Sequence, residues 1–171
     1  MTPARVLIVR HGTYPTDPRV LREARALVER GHEVDVVCLR RPGEAARDRV
    51  DGVGVCRLPL AHRRAGAARY LLEYGSFFAA VAAISGPACR LRRYDVVQVN
   101  TMPDALVFAA APARLAGARV LLDLHEVMPE LYVSKFGGST RDAAPRLLAF
   151  LEQRSIRFAD AAIAVSQPCL D

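Results

Sequence analysis

Short apolar runs alternate with amphipathic stretches along most of this chain. The first run, Val6-Leu7-Ile8-Val9, gives way to a polar loop from His11 to Asp17. From Pro18 onward Val20, Ala24, Leu27 and Val28 recur at helical spacing, and Arg22, Glu23, Arg25, Glu29 and Arg30 fall mostly on the outer side. Asp17 is a good N-cap acceptor, Pro18 suits a first helical position where no N–H is needed, and Gly31 supplies the left-handed residue that ends the helix. The next run, Val34-Asp35-Val36-Val37-Cys38-Leu39, is β-branched and nearly continuous in apolar character, as strands covered on both faces are.

The same alternation continues. A charged connection from Arg40 to Asp51 precedes a short strand, Val53 to Leu58, and a basic linker from Ala61 to Arg69 leads into a helix from Ala68 to about Ile84. Gly86-Pro87 predicts a break there, with Ala88 to Arg93 resuming the helix. A strand over Asp95 to Val99 follows, then a helix over Asp104 to Leu115 closed by Gly117, and a strand over Arg119 to Leu124. After a polar loop from His125 to about Ala143, Pro145 opens a helix to Phe158, and Ala161 to Val165 makes the last strand. This order predicts one α/β domain over residues 1–171, a Rossmann-like doubly wound parallel sheet with helices on both faces. Ligands of such sheets sit beyond the carboxyl ends of the strands, where strand order reverses. The loops after His11, Arg40, Asn100, His125 and Ser166 are therefore the ones to watch.

Composition narrows the class. With 51% hydrophobic but only 6% aromatic residues and no Trp, the core is built from Ala, Val and Leu. Cys38, Cys56, Cys89 and Cys169 show no metal-ligand spacing and read as reduced thiols, which predicts a cytoplasmic compartment. No secretory signal is read at the start, and the longest apolar stretch, Phe77 to Ile84, is far below the ~20 residues that span a bilayer. From Ala61 to Tyr94 six arginines face one acid, Glu73. An Arg-rimmed apolar helix can dock on anionic lipid, so peripheral contact with the inner face of the membrane is an expectation, against the commoner reading of a core helix with solvated ends. The basic charge does not point to nucleic acid, because the arginines are dispersed and not interleaved with aromatics.

Several short runs together carry a family resemblance. Asp17-Pro18-Arg19-Val20 with Gly31-His32-Glu33-Val34, Tyr94-Asp95-Val96-Val97 with Met102-Pro103-Asp104, and Asp123-Leu124-His125-Glu126 with Pro129-Glu130-Leu131 resemble the N-terminal domain of family 4 retaining glycosyltransferases, one half of a GT-B architecture. The resemblance spans about Arg5 to Ser166. It implies transfer of a sugar from a nucleotide-diphosphate sugar, used as substrate, to a glycan, lipid-linked or small-molecule acceptor, with retention and without a metal. It further implies that this half shapes the acceptor side, while a C-terminal half, which carries a pair of glutamates eight positions apart, holds most of the donor. No two glutamates of this chain have that separation, so the donor half is expected to lie elsewhere and the chain alone to be inactive.

Carried onto this sequence, the resemblance makes His125 the catalytic candidate, with Glu126 orienting it or the acceptor; the bland alternatives are a loop-fixing histidine and a solvated glutamate. Gly12, Thr13, Tyr14, Arg19, Asn100 and Lys135 are the candidate acceptor or substrate contacts. Gly12 is a lone glycine, with neither a G-x-G-x-x-G nor a P-loop around it, which speaks against a phosphate cradle. Asp17 and Asp104 read as helix caps, and His32 as packing at the helix–strand junction. His11 is either a ligand-edge or a solvated loop residue. The Gly137 to Thr140 stretch reads as a loop able to fold over substrate. Three other readings stay open: a nicotinamide-binding domain, disfavoured by the missing glycine fingerprint and by Arg40-Arg41 where an acid is needed; half of a sugar-nucleotide epimerase; and a stand-alone, non-enzymatic ligand-binding or interaction domain.

Overall fold

The computed structural model describes residues 2–60, 67–101, 103–125 and 128–164, with 67–71 described by backbone alone. The elements run β1 (Arg5–Arg10), α1 (Pro18–Glu29), β2 (Glu33–Leu39), β3 (Arg47–Val50), β4 (Val53–Leu58), α2 (Ala67–Arg92), β5 (Val96–Asn100), a 3₁₀ segment (Asp104–Ala110), α3 (Ala111–Leu115), β6 (Arg119–Leu124), α4 (Met128–Phe136), α5 (Ala143–Phe158) and β7 (Ala161–Ala164). They form one seven-stranded sheet in the order β3-β4-β2-β1-β5-β6-β7, parallel except for β3. The α/β Rossmann-like class read from the sequence holds. Strand order reverses at β1, which has β2 on one side and β5 on the other.

Each face of the sheet has its own core. On one face Val6, Ile8, Val34, Val36, Val53 and Val55 pack under α1 through Val20 and Ala24. On the other, Leu7, Val9, Val97, Val99, Val120 and Leu122 pack under α2, the 3₁₀ segment and α3 through Phe77, Val81, Leu106 and Ala113. α5 joins this second side, its Phe158 ring meeting Phe108 at 5.1 Å. Phe77 and Val81 are thus core, and the Phe77 to Ile84 run is not an exposed lipid-facing stripe. Among the described residues no helix is long and apolar enough to cross a membrane.

Three local expectations are corrected. Gly86-Pro87 does not break α2: an added Cβ at Gly86 would lie 2.9 Å from Pro112 Cβ, so the two helices pack closely here, and Ser85 Oγ donates to the Ala109 carbonyl at 3.1 Å. Tertiary packing outweighs the lost helical hydrogen bond. The charged connection after Arg40 contains β3, an edge strand turned by Asp51 and Gly52, with φ of 52° and 81°. That Asp-Gly pair is a hairpin signal the alternation pattern hides. The loop after His125 contains α4, which packs on α5.

Asp104 does not cap its helix. It makes no capping hydrogen bond and is 3% exposed, with Oδ1 unpartnered among the described residues. Burial first, and then the charge of Glu152, push its carboxyl up to about 7. Glu152 is itself raised by burial and by Glu130, against a hydrogen bond from the Met128 amide. A second close fit lies at Gly54, where an added Cβ would stand 2.0 Å from Asp35 Oδ1. Asp35 accepts from Arg92 Nη1 at 2.9 Å and from the Tyr94 hydroxyl, tying β2 to the end of α2.

Two outcomes follow from this packing. Gly54→Ala must displace Asp35 and is expected to cost about 1–3 kcal/mol in urea unfolding, with an unchanged slope. Asp104, raised in the folded state, holds its proton where the unfolded chain has lost it, so folded stability falls as pH rises from about 4 to about 7. Asp104→Asn should remove that part of the dependence, on the order of 2–4 kcal/mol between about pH 4 and about pH 8, as read from denaturation midpoints.

Candidate functional site

The carboxyl ends of β1, β5 and β6 bring one polar row together. Arg10 pairs in register with Asn100, and Asn100 with Asp123, so the three side chains share the face that carries α1. Sheets of this topology open their ligand crevice at the strand reversal. Arg10 spans it, donating to the Thr101 carbonyl at 2.6 Å and pairing with Asp17 at 2.8 Å.

In front of Arg10 lies a concavity of about 500 Å³ lined by Gly12, Thr13, Thr16, Asp17, Pro18 and Arg19. Asp17 caps α1, accepting from the Arg19 amide at 3.0 Å. Burial works to raise the Asp17 carboxyl, but the Arg19 amide and the Arg10 and Arg19 guanidinium charges outweigh it and hold it below its ordinary value. The Arg19 amide and both arginines are therefore already turned to a carboxylate. A phosphate at the helix start would have to displace that carboxylate.

Behind the concavity the row ends in a buried cluster. Asp123 Oδ2 accepts from Asn100 Nδ2 and from His125 Nε2, each at 2.6 Å. Thr101 Oγ1 accepts the His125 backbone N–H at 2.9 Å, fixing the chain where it leaves β6. Asn100, Thr101, Asp123 and His125 are 0%, 0%, 1% and 4% exposed, so these bonds are made away from bulk water. From α1, Glu23 Oε2 accepts from Gln98 Nε2 at 2.8 Å. Burial and then the Asp123 charge raise the Glu23 carboxyl above its ordinary value. His125 Nδ1 and Asn100 Oδ1 are buried and have no hydrogen-bond partner among the described residues. Oδ1 is an acceptor, and so is Nδ1 when a neutral ring carries its proton on Nε2; buried acceptors without partners favour a ligand that brings donors.

The candidate residues divide accordingly. His125 and Asn100 meet directly in the cluster, while Gly12, Thr13 and Arg19 line the concavity beside it. Tyr14 is corrected: it is 1% exposed and packed in the α1-side core, so its ring is not available to an acceptor. Lys135 is exposed in the last turn of α4, and no described hydrogen bond or ion pair joins it to the cluster. Glu126 lies outside the described residues. Asp123, Glu23 and Gln98 went unassigned in the sequence because their partnership depends on strand register and on the seating of α1. His11 was also underread: its ring is buried, 3.3 Å from Glu73 and stacked on Tyr74 at 4.1 Å. Among the described residues no group of three His, Cys, Asp or Glu side chains is placed to hold a metal ion.

Comparison with known proteins agrees with the fold. The fold resembles sucrose-phosphate synthase from Thermosynechococcus elongatus, with a TM-score of 0.69 at 14% identity over 95% of this chain and 42% of that one. It also resembles MurG from Acinetobacter baumannii, with a TM-score of 0.53 at 13% identity over 96% of this chain and 42% of that one. A third likeness is Os79 from O. sativa, solved in complex with UDP, with a TM-score of 0.55 at 17% identity over 94% of this chain and 46% of that one. The chain thus spans less than half the length of these three structures. No curated relative matches the sequence itself. The glycosyl transferase 4-like domain matches residues 16–170, nearly the whole chain, and the protein belongs to that family.

Proposed function

We propose that this domain is the acceptor-side half of a retaining glycosyltransferase, which moves a sugar from a nucleotide-diphosphate sugar to a glycan, lipid-linked or small-molecule acceptor. The observation that carries the reading is the buried Asn100–Asp123–His125 cluster at the strand reversal, with two buried acceptor atoms that lack a partner among the described residues, behind a concavity where Asp17 holds the Arg19 amide. Such a surface suits hydroxyl groups better than phosphate. In this reading His125 accepts a hydrogen bond from an acceptor hydroxyl, Asn100 accepts another, and Thr13 and Arg19 bound the bound sugar on its outer side. Glu126 is assigned to the same loop on the resemblance alone.

The donor nucleotide is assigned mainly to a second half outside this sequence, since the helix start at Pro18 is already capped by Asp17 and the Gly12 loop carries no glycine-rich phosphate motif. Chemistry then needs both walls, because a positioned acceptor gains nothing until the sugar carbon is held within reach. The family match and the lengths of the similar structures support this division. No metal is assigned a role. The protein is placed in the cytoplasm, where nucleotide sugars would serve as donor.

Two measurements test the reading on the purified 171-residue chain. No sugar transfer from UDP-, GDP- or ADP-sugars to a panel of glycosides is expected, and transfer above background by this chain alone would overturn the assignment of the donor to another half. In amide NMR titrations, methyl glycosides should shift resonances around Thr13, Asn100 and His125, whereas UDP and GDP should not saturate there. His125→Gln should weaken the glycoside response by about 5-fold or more, the worth of one hydrogen bond. Saturable nucleotide binding at Gly12 to Arg19 with no glycoside response would reverse the proposed polarity of the site.

A further inference from the structure

Asp123 is the hub of the buried cluster, and its chemistry dictates the state of its neighbours. A carboxylate can only accept, so His125 Nε2, 2.6 Å from Oδ2, carries the ring proton. The Asn100 amide must likewise turn its nitrogen to the same oxygen, also at 2.6 Å. Asn100 Nδ2 and His125 Nε2 are 3.3 Å apart, two donors side by side that cannot bond each other. The shared carboxylate oxygen reconciles them. The backbone is fixed independently, because the His125 N–H is held by Thr101 Oγ1. Each of these constraints leaves the same atoms over: Nδ1, a lone pair whenever the ring is neutral, and Oδ1, the free oxygen of the amide.

We propose that Asp123, steadied by Asn100, is a positioning residue that locks His125 in its Nε2–H tautomer and so turns Nδ1 into the atom that accepts a hydrogen bond from the sugar acceptor. The identity of the ligand rests on the acceptor-side reading above; the tautomer does not. Asp123 touches no ligand in this arrangement and acts through the ring. The logic is that of a carboxylate orienting a histidine from behind, which sets the tautomer without taking the proton. Asn100 serves twice, its nitrogen holding Asp123 and its oxygen standing free as a second acceptor.

Ring nitrogen NMR on the 171-residue chain, labelled at histidine and recorded above the titration of the ring, tests the tautomer without reference to activity. The wild-type ring is expected to carry its proton on Nε2, with that proton in slow exchange with water. Asp123→Leu, similar in size but without an acceptor, should speed its exchange on the order of tenfold or more. A wild-type ring protonated on Nδ1 overturns the proposal outright and needs no variant. So does a folded Asp123→Leu protein, checked by its amide spectrum, whose Nε2–H remains as protected as before. A third arm uses methyl α-mannopyranoside and a panel of other methyl glycosides. A correct tautomer with no glycoside response at His125 removes the acceptor from the proposal and sinks the functional reading, while leaving Asp123 as the residue that sets the ring.

Discussion

A carboxylate buried in a sheet has to find its donors nearby, and Asp123 finds both in the strand geometry around it. Asn100 lies beside it on β5, and His125 lies two residues further on, just past the end of β6. The alternative, an unpaired charge at 1% exposure, would cost several kcal/mol. Satisfying it therefore constrains the sheet: β5 and β6 must be in this register, and the chain must leave β6 in the path that Thr101 holds. Arg10 extends the row to β1 and links it to Asp17 at the start of α1. The polar crevice and the alignment of three strands are the same set of bonds.

Much of the framework is legible in the sequence, for identifiable reasons. α1 and β2 are delimited by a cap, a proline, a glycine and a change of apolar period, all local signals. β3 is not legible by those means, because Arg47-Asp48-Arg49-Val50 is a polar edge strand whose inner neighbour supplies its reason to exist. α2 runs through Gly86-Pro87 because close packing on Pro112 outweighs a local breaker. Tyr14 was misread for the opposite reason: a polar loop surrounds it in sequence, but its ring turns inward under α1.

The site divides along the same line. His125 stands out in the sequence because its motif resembles a family's functional loop, and it sits at the end of a strand. The role of Asp123 cannot be read there, since Asn100 is 23 residues away and only strand pairing makes them neighbours. The same holds for Glu23 and Gln98, joined across 75 positions by the seating of α1 on the sheet. Short-range patterns can mark a functional residue; the groups that orient it come from topology.

The placement of donors and acceptors then distinguishes the two ends of the crevice. At the start of α1 the surplus is of donors, and Asp17 accepts the Arg19 amide and pairs with the Arg10 and Arg19 guanidinium groups. Around Asp123 the surplus is of acceptors, and the described residues leave Nδ1 and Oδ1 open. A nucleotide-diphosphate sugar needs donors for its phosphates, whereas a sugar hydroxyl can donate to either open atom. Within one crevice a carboxylate thus sits at the helix start, while two acceptor atoms lack partners among the described residues around Asp123. That asymmetry, written in the partners of a few side chains, is the physical support for the proposal that this wall of the cleft serves the acceptor.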